Sequence, residues 1–213
     1  MISGDVMETS DLKHHYSQQF NAELEDIRSR VLGMGGLVER QLEMAISALN
    51  DKEPEAAEYV VSNDDMVNEC DITIDERCTT ILALRQPTAS DLRLILAVVK
   101  TTADLERIGD EAKRVARVAI PAEAGDDGRN LLSQIAHLGE QVQRLLHRAL
   151  DAFARMDVEA AIDVIHEDSN IDTEYESFVG ESTAHMMENP HSIPRVMDQV
   201  WAARALERIG DRC

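Results

Sequence analysis

The hexapeptide LERIGD occurs twice, at 105–110 and again at 206–211. Six identical residues about 100 positions apart mark a duplicated unit longer than solenoid repeats. Weaker matches extend the pairing. DDMVNECDITID at 64–75 parallels DSNIDTEYESFV at 168–179, so Asp64, Val67 and Asn68 correspond to Asp168, Ile171 and Asp172. Gln86 and Pro87 have counterparts in Asn189 and Pro190. A chain built this way folds as two copies of one supersecondary unit, and each copy must supply its own apolar face.

The periodicity says what that unit is. Ile95, Val98, Thr102, Leu105, Gly109, Ala112, Ala116 and Ala119 recur at three-four spacing, and Val60, Val67, Ile74 and Ile81 recur every seven residues. Apolar and small residues in that rhythm form the seam of helices packed side by side. No strand-like alternation competes with it. Breakers cut the chain at Pro54, Pro87, the IPAEAGDDGRN stretch at 120–130, Asp157, and the Pro190 and Pro194 pair. Six helices are predicted, at about 10–50, 54–86, 89–119, 128–156, 158–188 and 192–213. Ser90 reads as an N-cap for the third. The fold class is therefore all-α: two tandem, internally duplicated, antiparallel three-helix bundles, one over residues 1–122 and one over 123–213. The first LERIGD is followed by nearly three further turns, EAKRVARVAI, and the second only by Arg212 and Cys213. The last helix thus reads as truncated, and Cys213 is not expected to be a natural terminus.

Composition agrees. Apolar residues make up 44% and aromatics only 3%, so the cores are aliphatic. Net charge is −20, with 41 acidic residues against 21 basic, which argues against nucleic-acid binding. The three cysteines show no CxxC or zinc spacing and read as reduced thiols. The amino-terminal stretch MISGDVMETSDLKHH lacks an apolar core for export, and no apolar run approaches about 18 residues. A cytoplasmic location follows as an expectation, with any membrane contact made through a partner.

The repeated carboxylates carry the candidate chemistry. Glu106 and Asp110 lie one helical turn apart on one face, as do Glu207 and Asp211. Like charges at that spacing cost a few tenths of a kcal/mol in an isolated helix, on the order of 0.2–0.5. With Val60, Val67 and Ile74 at heptad position a, Asp64 and Asp71 fall at e, and Asn68 and Asp75 at b. Glu106 and Asp110 take e and b in the third helix. Asp168 and Asp172 repeat that assignment in the second half, with Glu207 and Asp211 opposite. The acids of neighbouring helices thus flank the seams in one register, where carboxylates from two helices can share cations. Oxygen-only ligation suits Mg, Mn, Ca or iron rather than a dedicated zinc site. One acidic pair in so acidic a chain is more often a solvated flank, and the exact duplication shifts the balance towards metal. Arg107 and Arg208 lie about 100° round the helix from the acids before them. Leu105, Ile108 and their copies read as core, and Gly109 and Gly210 as places where a neighbouring helix closes in. His14, His15 and His166 read as surface residues, with His166 beside Glu167 and Asp168 as an outer-ligand candidate. Di-iron carboxylate bundles use paired Glu-x-x-His motifs; here the one such motif, Glu188 to His191, spans Pro190. The MGG at 34–36 reads as close helix packing or a kink.

The motifs ALRQPTASDLRLI, DLERIGDEAKRVAR and ALERIGDRC, in two three-helix halves, resemble the PhoU family, and QFNAELEDIRSRVLGMGGLVERQL at 19–42 resembles that family's first helix. The likeness covers 13–213 and is to proteobacterial members in particular. It implies a non-enzymatic regulator that keeps the phosphate-starvation response off and restrains phosphate uptake. Its implied partners are the ATPase subunit of the phosphate ABC transporter and the sensor histidine kinase, with peripheral association at the inner membrane through them, and a homodimer is implied too. The resemblance also implies multinuclear metal clusters, iron or zinc in some members, at Glu106, Asp110, Glu207 and Asp211, and less directly at Asp71, Asp75, Asp168 and Asp172. Manganese or magnesium remains open from the ligand chemistry. Tyr175 and Val179 stand in the second half where Asp71 and Asp75 stand in the first, so the two sites are expected to differ in ligand number. Two readings compete with the regulator: a carboxylate-bridged metal protein with oxidase or storage activity, and a structural bundle with surface acids.

Overall fold

The computed structural model describes residues 9–51, 54–62, 65–119 and 129–213. Asp64, the His14 and His15 side chains, and the expected boundary at 122/123 lie outside the described residues. The helices are α1 (Thr9–Asp51), α2 (Pro54–Ser62), α3 (Asp65–Arg85), α4 (Ala89–Ala119), α5 (Arg129–Arg155), α6 (Val158–Glu188) and α7 (Ile193–Gly210), with a 3-10 turn at Pro190–Ser192 before α7. Among the described residues there is no strand.

The breakers act where their chemistry predicts. Asp157 caps α6, its side chain accepting a hydrogen bond from the Ala160 N–H at 3.0 Å. Met156 before it takes a positive φ of 54°, which reverses the chain in a two-residue turn. Gln86, at φ 47°, ends α3 ahead of Pro87. Two expectations are corrected. The predicted helix at 54–86 is described as α2 and α3, on either side of 63–64. Helix α4 starts at Ala89, so Ser90 lies inside it and does not cap it.

Helices α1, α4, α5 and α7 form the centre of the molecule. Helices α2 and α3 pack on α1 and α4 from one side, and α6 packs on α5 and α7 from the other. The bundles meet through α1 against α5 and α4 against α7. The seam residues are buried as the periodicity requires: Val60, Val67, Ile74 and Ile81 in the first half, and Ile171, Phe178 and Leu206 in the second. They belong to one continuous apolar core that passes through both halves.

Glycine sets the closeness of the two bundles. A Cβ on Gly35 would come within 2.6 Å of Leu150, and one on Gly139 within 2.8 Å of Ile46. The MGG stretch of α1 is therefore a berth for a leucine of α5. Polar contacts follow the same junction: His147 Nδ1 lies 2.8 Å from Glu39 Oε1, and Arg212 pairs with Asp104 at 3.1 Å. No helix is long and apolar enough to cross a membrane among the described residues.

Candidate metal centre

The antiparallel packing of α6 on α7 brings the second hexapeptide against the start of the DSNID stretch. Gly210 is the point of contact. A Cβ there would lie 2.6 Å from Asp168 Oδ1 and 3.3 Å from Ile171 Cδ1. The missing side chain lets Asp168 lie flat against the end of α7.

Three acids converge at this crossing. Asp168, Asp172 and Asp211 each offer a carboxylate oxygen, and these oxygens lie within 4.8 Å of one another. Asp168 is half-buried, while Asp172 and Asp211 are exposed. None of the three is in an ion pair among the described residues. The Asp168 Oδ1 atom is buried and has no hydrogen-bond partner. Burial first, then the charges of Asp172 and Asp211, push the Asp168 carboxyl above its ordinary pKa. An unpartnered buried oxygen costs about 1–3 kcal/mol, and a cation would supply the missing partner.

Glu207 stands next to this group. It is only 8% exposed, and Arg204, one turn earlier, holds its Oε1. Its Oε2 is buried and unpartnered. Burial, with Asp211 and Asp172 nearby, raises its pKa, against the opposing effect of Arg204. Arg204 also lies over the Tyr175 ring, 5.6 Å from its centroid. This tyrosine occupies the position that Asp71 holds in the first half.

The residues fit a hard cation: three clustered carboxylates, one of them with a buried oxygen that lacks a partner, and the buried Glu207 Oε2 nearby. The group that converges holds carboxylates alone, with no histidine or cysteine among the described residues.

The first half differs. Asp71 is half-buried, and its pKa is raised by burial and then by Asp75, one turn along α3. Among the described residues no third carboxylate joins this pair at the spacing seen in the second half. Asp110 is paired with Lys113 at 3.2 Å, and Glu106 is half-buried on the same face. The residue corresponding to Asp172 is Asn68. In the first half Lys113, one turn on from the hexapeptide, neutralises Asp110.

The arginines of the hexapeptides point away from the acids, as their place on the helix requires. Arg107 pairs with Asp104 at 3.6 Å. Arg208 crosses from α7 to Glu111 of α4 at 3.3 Å. Sequence reasoning passed over Glu111, which is 7% exposed and also bound by Arg114 at 2.7 Å. It missed Arg204 as well, although its i,i+3 spacing to Glu207 was a readable signal.

The PhoU domain model matches this chain twice, over residues 31–119 and 135–213. A phosphate-specific transport system accessory protein PhoU homolog of Pseudomonas aeruginosa is 50% identical over 97% of this chain and 85% of its own length. The phosphate-specific transport system accessory protein PhoU of Escherichia coli K12 is 45% identical over 97% of this chain and 86% of its own. Among solved structures, PhoU from Pseudomonas aeruginosa superposes with a TM-score of 0.87 at 50% identity, covering 91% of this chain and 92% of that one. The phosphate transport system regulatory protein PhoU from Streptococcus pneumoniae gives a TM-score of 0.81 at 28% identity, covering 91% and 90%.

Proposed function

The chain belongs to the PhoU family, and from that premise we propose that it is a non-enzymatic accessory protein of the phosphate transport system that holds phosphate uptake and the phosphate-starvation response in check. The observation that carries this reading is the double match to the PhoU domain across both halves, together with full-length relatives named as accessory proteins of that system. In this reading the chain is an adaptor. It joins the ATPase subunit of the phosphate ABC transporter to the cytoplasmic part of the sensor histidine kinase, reaches the membrane through them, and works as a homodimer. Long helices suit such a role, because their outer faces offer extended docking surface.

The carboxylates belong to the same proposal. Asp168, Asp172, Asp211 and Glu207 hold one or more divalent or iron-type cations in the second half. A bound cation would neutralise like charges and tie α6 to α7. The all-carboxylate donor set favours magnesium, manganese or iron over zinc.

The adaptor reading is tested by pull-down with the full chain as bait. The transporter ATPase subunit and the soluble part of the kinase are offered separately, at high and at low phosphate. Retention of at least one, changing with phosphate, is the expected result. Retention of neither at any phosphate level removes the proposal.

A further inference from the structure

Positive charge is scarce in a chain of net charge −20, yet it gathers where α4 meets α7. Arg114 and Arg117 of α4 face Arg204, Arg208 and Trp201 of α7 around a cavity of about 330 Å³, with Glu111 beside them. Four guanidinium groups there meet two carboxylates. Glu111 is held by Arg114 and Arg208, and Glu207 by Arg204. Arg117 is exposed and has no ion pair among the described residues. Trp201, the one tryptophan of the chain, is 64% exposed at the rim.

Each feature points to an occupant of one chemistry. Arg114 Nη1 donates to both oxygens of Glu111, at 2.7 and 2.9 Å, so a carboxylate already fits this corner. Guanidinium clusters recognise acidic motifs through charge-assisted hydrogen bonds. Tryptophan and arginine are the residues enriched at the energetic centres of protein interfaces. The surrounding acidic surface repels an acidic segment and so steers it to this place.

We propose that the α4–α7 cavity docks an acidic segment of a partner protein, which lays an apolar side chain on Trp201 and its carboxylates on Arg117 and Arg208. This deepens the adaptor reading and rests on it for the existence of a partner. It adds the chemistry of what is bound and the place that binds it.

Trp201 makes the test direct, because its emission reports on this cavity alone. The full chain is titrated with a short blocked peptide of alternating Glu and Leu, with the matching Lys and Leu peptide, and with inorganic phosphate. The expected result is a saturable change in Trp201 emission with the acidic peptide only, weakened by salt. Arg117→Glu, at an exposed and unpaired position, should weaken binding about tenfold or more with an unchanged circular dichroism spectrum. A labelled acidic peptide followed by anisotropy should lose affinity for Trp201→Ala as well. No saturable change, an unaltered affinity in Arg117→Glu, or an equal response to the Lys peptide overturns the proposal. An equal response to inorganic phosphate overturns it too, by showing a small-anion site. Failure here with transporter or kinase still retained in the pull-down would displace the docking site and leave the adaptor reading standing.

Discussion

Asp168 bears an electrostatic cost at the crossing of α6 and α7. One of its oxygens is buried without a partner, and two like charges stand close by. Replacing it with Asn removes the charge and keeps the shape. Metal-free Asp168→Asn should therefore melt higher than the parent chain, by about 2 °C or more. Magnesium or manganese should raise the melting temperature of the parent and leave that of the variant unmoved. Differential scanning fluorimetry with and without the ions reads both. Gly210→Ala tests the same oxygen from the other side. The new Cβ would lie 2.6 Å from Asp168 Oδ1, so the carboxylate would have to shift. Cation affinity measured by calorimetry should fall about tenfold or more, while the better helix propensity of Ala limits the loss of stability to about 1 kcal/mol. Gly109→Ala meets the side-chain end of Gln41 at 3.1 Å and serves as the milder control.

At the scale of elements, the helices were readable because their breakers act locally. Proline at 87 and 190 and the Asp157 cap fix α4 and α6 from neighbouring residues alone. The acids were readable for a different reason: the duplication drew attention to residues that composition would have hidden. What the sequence could not show depends on how helices cross. The depth of Asp168 follows from its contact with Gly210, 42 positions away in sequence and on another helix. Arg208 reaches Glu111 only because α4 packs on α7. Ion pairs between helices also set a dependence on pH. Arg85 of α3 grips Glu23 of α1 at 2.6 Å, and this hydrogen bond holds the Glu23 carboxyl below its ordinary pKa of 4.5. A lowered folded pKa adds stability above the ordinary value, and that stability is lost as the pH falls through the lowered one. Glu23→Gln should thus lose less melting temperature than the parent between about pH 6 and about pH 3.

The whole molecule behaves as one body in its packing. The core passes from α1 and α4 into α5 and α7 without a gap, so the two duplicated units share their apolar contacts. Thermal unfolding should be a single cooperative transition, with calorimetric and van't Hoff enthalpies in agreement. Two separable transitions would mean that the junction at Gly35 and Gly139 contributes little. The duplication was legible in the sequence, and this junction was legible only in part: the MGG stretch suggested a close approach, but its partner, Leu150, sits in the other half.

Arg204 belongs to two places at once. It holds Glu207 beside the clustered aspartates, and it lines the cavity under Trp201. A cation drawing on Glu207 would loosen Arg204, and an acidic segment settling on Arg117 and Arg208 beside it would draw Arg204 the same way. Whichever came first would lower the free-energy cost of binding the second. Reciprocity of binding free energies then requires each to tighten the other by the same factor. A chain built in this way would compute a logical conjunction: its response is strongest when cation and acidic segment are both bound, and the long side chain of Arg204 is the wire between them.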